Sequence, residues 1–180
     1  MTMRLLIPAL LVSLACLAQP VRGQAPQVLK DSGIRKLAVF VGTWKAENAP
    51  DTNGVVGVSS IYTCQWAPNG NYLIADQRVT QDGHTTNNLS IYSYDPKDDS
   101  YLLSLVGIPG MQPFSIRIEY KGDELFYIGD YMDNGKKVYG RTVNTFLSPT
   151  HYTFKVQSSP DGVRWVTTME GKAVKMKPPL

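Results

Sequence analysis

From Gly42 onward the chain is punctuated by turn signals at a nearly constant interval, and this rhythm constrains the fold more than any other feature. Asn53-Gly54, Asn69-Gly70, Asp82-Gly83, residues 96–99, Pro109-Gly110, Gly122-Asp123, Asn134-Gly135, Ser148-Pro149 and Asp161-Gly162 recur every 12–16 residues. Asn-Gly and Asp-Gly pairs supply the positive-φ residues that tight hairpins require. Between the turns lie runs rich in Val, Ile, Tyr, Phe and Thr, and residues 115–120 and 152–158 alternate apolar with polar. Nine turns predict about ten sequential antiparallel strands. A meander of that kind exposes two edges unless it closes on itself. The expected fold is therefore all-β, an up-and-down antiparallel barrel of about ten strands. A chain of 180 residues can bury one such core and is too short for two.

The segment before the strands divides into three. Residues 31–41 carry a cap candidate, Asp31 or Ser32, followed by Ile34, Leu37, Ala38 and Val41 at helical spacing. They predict one short helix lying across an end of the barrel, so that the expected domain spans residues 31–177. Residues 24–30 have no period and are expected to form a flexible tail. Residues 1–23 read as a signal peptide: Arg4 supplies the positive start, residues 5–18 an apolar core too short to span a bilayer, and Val21 and Gly23 the small residues before a cut. The expected destination is export, to the periplasm or outside the cell. Ser13-Leu14-Ala15-Cys16 also resembles a lipoprotein box, so a lipid anchor at Cys16 stands as the alternative.

Cleavage after Gly23 removes Arg4 and Arg22 and no acid, leaving 16 basic against 15 acidic side chains and reducing the net charge from +3 to +1. Charged residues make up only 18% of the chain and hydrophobic ones 43%, which excludes disorder and leaves no electrostatic footprint for nucleic acid. No later segment is long and apolar enough to form a transmembrane helix. The mature chain keeps one cysteine, Cys64, and so forms no internal disulfide.

Chemistry-bearing motifs are sparse. There is no Gly-x-Ser-x-Gly elbow, no phosphate-binding loop and no Gly-rich nucleotide turn, so catalysis has no candidate residue. Two histidines and one mature cysteine cannot build a closed zinc site. The run from Asp130 to Gly135 lacks the 1-3-5 spacing of a calcium loop and reads as a hairpin. Cys64 shares a strand face with Tyr62 and Trp66 and has no basic sequence neighbour, which suits a buried, inert thiol. His151 opens the ninth strand and has two readings: a haem or metal ligand or polar anchor at the barrel mouth, or a strand-end residue after a Ser-Pro turn, bonded to a neighbouring backbone group. Arg117 lies between Ile116 and Ile118 and faces opposite to them. Either it points inward and holds an anionic head group, or the isoleucines fill the interior and Arg117 faces water; alternation alone does not choose the face.

Gly42-Thr43-Trp44 at the start of the first strand resembles the Gly-x-Trp signature of the lipocalin and fatty-acid-binding (calycin) superfamily. Residues 61–66, 69–73 and 92–96, His151-Tyr152-Thr153-Phe154 and Met169-Glu170-Gly171 look, in that order, like secreted bacterial lipocalin-like domains of unknown function. The resemblance covers roughly residues 35–176. It implies that Gly42 bends the chain from helix into strand and that Trp44 plugs one barrel end, burying on the order of 200 Å². In lipocalins an arginine from the last strand lies across that tryptophan; here the last strand offers Lys172 and Lys175. More distantly, the chain is similar to nitrobindins, barrels that hold haem through one histidine, although Ala46 and Asn48 replace two glycines of their first strand. The resemblance implies a barrel that binds a small hydrophobic or amphipathic ligand inside, with Trp44, Tyr62, Trp66, Arg117 and His151 as candidate ligand-binding residues. No cofactor is expected. The alternatives are a structural or interaction domain with a filled core, and a haem protein using His151.

Overall fold

The computed structural model describes residues 33–49, 57–107 and 112–177. The signal-peptide reading, Cys16, the tail at 24–30, and the turns at Asn53-Gly54 and Pro109-Gly110 lie outside them. Ten strands follow one another: β1 (Gly42–Asn48), β2 (Ser59–Trp66), β3 (Leu73–Gln81), β4 (His84–Asp95), β5 (Ser100–Val106), β6 (Phe114–Lys121), β7 (Glu124–Asp133), β8 (Lys136–Ser148), β9 (His151–Ser159) and β10 (Val166–Lys175). Each pairs antiparallel with its neighbours in sequence. The barrel closes where β1 meets β10, in a register running from Trp44 opposite Lys175 to Asn48 opposite Gly171. The meander expected from the turn rhythm is thus present, and both of its edges are used up in closure.

The turn chemistry is visible in the backbone. Asn134 and Gly135 have φ of 48° and 75°, and Asp82 and Gly83 have 50° and 76°. Two successive positive-φ residues match the twist of the flanking strands, which is why Asn-Gly and Asp-Gly occupy these two-residue loops. Gly42 has φ of 118° at the corner between the N-terminal helix and β1, a conformation that L side chains rarely adopt.

The expected short helix is present. Gly33–Phe40 forms a 3-10 helix, the one helix among the described residues, and it buries Ile34, Leu37 and Phe40. In a 3-10 helix residues three apart eclipse, so the buried stripe runs at 34, 37 and 40 rather than along the α-helical set that includes Ala38. Ala38 is exposed and Phe40, absent from the expected face, is 1% exposed.

The helix seals one end of the barrel. Leu37, Trp44, Leu73 and Leu125 are wholly buried there. The Phe40 ring stacks on Tyr92 at 5.6 Å and meets Phe146 edge-on at 5.5 Å. Trp44 cannot bury its indole N–H without an acceptor, and Nε1 donates to the Phe40 carbonyl at 2.9 Å, tying strand to helix. Lys175 completes the seal: its ammonium lies 4.9 Å from the Trp44 ring centroid and donates to the Val39 carbonyl at 3.3 Å. A lysine therefore occupies the place that the lipocalin likeness gives to arginine, acting as a point charge over the ring rather than a stacked plane.

Candidate functional site: the barrel interior

Period-two alternation sends one side chain in two into the barrel. Above the sealed end these inward positions do not fill the space. They leave a cavity of about 320 Å³, lined by aliphatic and aromatic groups such as Ala75, Leu103, Ile116 and Phe154 and by a smaller polar set. Tyr62, Tyr92, Tyr127 and Tyr152 line this space, and their hydroxyls bond to one another. They form two pairs, Tyr62 with Tyr152 at 2.8 Å and Tyr92 with Tyr127 at 3.5 Å. A hydroxyl pair uses one proton between its oxygens, so each pair keeps one O–H free to donate elsewhere. At the end away from the helix the lining residues Val58 and Val79 are half-exposed, and Met169 is 36% exposed.

The interior favours neutral groups. Burial is the main cause that raises all four tyrosine hydroxyls above their ordinary titration range, and their mutual repulsion on ionisation adds to it for Tyr62 and Tyr127. Burial also pushes the Cys64 thiol up to about 12, although the Lys175 ammonium pulls the other way. The thiol is 1% exposed, and neither deprotonated nor accessible, it offers no nucleophile. Among the described residues no three His, Cys, Asp or Glu side chains gather into a metal site.

The sequence-based candidates are scattered by this geometry. Tyr62 lines the cavity. Trp44 lies below it and stacks on Tyr62 with ring centroids 6.3 Å apart and planes 8° apart, forming part of the floor. Trp66 is half-buried at the helix end, under the Arg35 guanidinium at 6.0 Å, and does not line the cavity. Arg117 is on the outer face: Ile118 is 2% exposed and Ile116 lines the cavity, so the alternation turns Arg117 outward, where it pairs with Glu119 at 2.6 Å. The reading that places an anionic head group on Arg117 is therefore not met, and no described residue that lines the cavity is a cation. His151 is exposed and bonded through Nδ1 to the Thr150 hydroxyl at 2.9 Å and the Ser148 hydroxyl at 3.3 Å. His84 is exposed at the start of β4. With both histidines outside, the haem reading has no imidazole in the cavity lining.

Tyr92, Tyr127, Tyr152, Gln77, Ser90 and Asn144 line the cavity and were not singled out from sequence. A partial signal existed in the spacing of Ser90 from Tyr92 and of Tyr152 from Phe154, two residues apart on one strand face. Only the register shows that these faces are the inner ones. The strand arginines confirm the reverse case. Arg141 stacks over the Trp165 ring at 4.1 Å and donates to Gln157 Oε1 at 2.7 Å, paired along the flank of the barrel instead of within it.

Residues 34–175 match the family DUF1579, described as a protein of unknown function. No curated protein matches the chain. Among solved structures, the chain is similar to the crystal structure of Rv2717c from M. tuberculosis, with a TM-score of 0.53 and 10% identity over 81% of this chain and 98% of that one. At that identity the likeness concerns the fold alone.

Proposed function

The chain belongs to DUF1579, a family of proteins of unknown function, and from that premise we propose that it is an exported, lipocalin-like, non-catalytic binding module that holds a small hydrophobic or amphipathic ligand inside its barrel. The observation that carries this reading is the cavity of about 320 Å³, which reaches the range of roughly 300–1,000 Å³ typical of ligand sites. A barrel acting only as a scaffold gains by packing its interior, since a residual void costs stability in proportion to its volume. Here the sealed end is packed to zero exposure at Leu37, Trp44 and Leu73, and the space above it stays open. Burial supplies the affinity, at about 0.8 kcal/mol for each methylene taken from water. The half-exposed rim at Val58, Val79 and Met169 is the entry route.

Native mass spectrometry of the protein purified from its host, before and after organic extraction, tests this reading. A bound species that leaves on extraction, together with a mature chain beginning at Gln24, is the expected result. A protein that carries nothing and takes up no apolar probe overturns it.

A further inference from the structure

We propose that the cavity selects an uncharged ligand bearing a hydrogen-bonding head group, anchored by Asn144 and Ser90, and rejects carboxylates and ammonium ions of the same chain length. The proposal rests on the ligand-binding reading above and adds the chemical class of what is bound.

Asn144 and Ser90 are each 5% exposed and both line the cavity. Their cross-strand neighbours are apolar. Asn144 on β8 sits between Leu125 on β7 and Phe154 on β9. Ser90 on β4 sits between Ala75 on β3 and Leu105 on β5. No side-chain hydrogen bond joins either residue to another described residue, in contrast to Gln77, whose Nε2 donates to the Ser60 hydroxyl at 3.3 Å. Asn48 differs from these two: the residue is half-buried and borders the same cavity, and its Oδ1 is itself buried without a partner. Buried polar groups are ordinarily satisfied, because an unpaired one keeps its full desolvation cost. Unpaired polar side chains that face one cavity from several strands are accounted for when a bound molecule supplies the missing partners. An amide offers both a donor and an acceptor, and a hydroxyl offers the same, so alcohols, amides and ketones all fit.

The charge of the ligand follows from the lining. No described lining residue is acidic or basic. Arg117 faces out to Glu119, and the Lys175 ammonium is engaged by the Val39 carbonyl and the Trp44 ring below. An ionised head group entering this space would shed its hydration with no countercharge to replace it. A neutral head group loses less and finds Asn144, Ser90 and the free O–H of each tyrosine pair.

The experiment is calorimetric titration of the full-length mature protein at neutral pH with 1-octanol, octanoate and octylammonium, which share a chain length and differ in charge. Octanol is expected to bind at least about tenfold more tightly than either ion. Octanoate or octylammonium binding as tightly as octanol overturns the proposal while leaving the binding reading intact; binding of none of the three overturns both. Asn144→Leu is expected to weaken octanol about fivefold or more while the melting temperature of the ligand-free protein stays level or rises, since an unpaired amide is removed. Ser90→Ala is expected to weaken octanol about threefold, also without loss of melting temperature. Unchanged octanol affinity in both variants, or an Asn144→Leu chain that melts lower or fails to fold, assigns these residues a structural role and overturns the proposal.

Discussion

The two ends of this barrel are built from the same ten strands and solve opposite problems. At the helix end Leu37, Phe40, Trp44, Leu73 and Leu125 pack to between 0% and 1% exposure; Trp44 Nε1 is paired with the Phe40 carbonyl and Lys175 Nζ with the Val39 carbonyl, while the Tyr120 hydroxyl is buried there without a partner. Further along the barrel Ser90 and Asn144 are nearly as deeply buried and have no side-chain hydrogen bond, around a space that side chains do not fill. The difference teaches where the stability of the fold resides. A barrel whose cavity region is left under-packed depends on a well-packed plug.

Trp44→Ala should break the contrast most severely. It opens a void in the sealed end and releases the indole bond that holds the helix, so a loss of about 3–5 kcal/mol in denaturant unfolding is expected. A loss under about 1 kcal/mol would mean that the plug is not the stabilising end.

Alkaline titration sharpens the boundary between the two ends, where the tyrosine pairs lie. Tyr152 is held up to about 12 against an ordinary 10.0. A hydroxyl whose folded value is raised contributes stability that is complete below the unfolded value and is lost as pH rises through the folded one. Tyr152 alone should therefore cost roughly 3 kcal/mol between pH 10 and 12 for its two-unit shift, and because the Cys64 thiol is raised from 9.0 to about 12 and the other interior tyrosines are raised too, the fall should begin near pH 9 and be larger in total. Absorbance near the phenolate band should show the interior tyrosines ionising only together with unfolding. Early ionisation at pH 10 in a folded chain would mean that water reaches the pairs freely.

The smallest effect is expected at the open end. Val79→Ala trims a half-exposed rim residue beside space that is already empty, so less than about 1 kcal/mol should be lost in the same unfolding experiment. Apolar-probe affinity should change more than stability does. A cost equal to that of Trp44→Ala would erase the distinction between the ends.

The fold was legible because its signals are local. Asp82-Gly83 and Asn134-Gly135 specify their turns through their own φ angles, and each turn reverses the chain whatever lies elsewhere. The Trp44 stopper was legible too, through Gly42 and the signature they share. The short N-terminal helix was legible as well, while its 3-10 geometry, which buries Ile34, Leu37 and Phe40 at three-residue spacing, was not. The site was mostly hidden. Of five candidates only Tyr62 lines the cavity, since alternation shows that Arg117 opposes Ile116 and Ile118 without showing which side is the lumen.

The sequence by itself determined the number of strands and their antiparallel order, because turn geometry and side-chain period act over a few residues, and the tryptophan at one end followed from the family resemblance. Only the tertiary structure decided which face of each strand looks inward, that Lys175 reaches Trp44, and that Asn144 and Ser90 meet apolar neighbours around an unfilled space. Those facts depend on the register in which strands far apart in the chain pair and close, and a one-residue slip in that register would exchange the inner and outer faces of a whole strand.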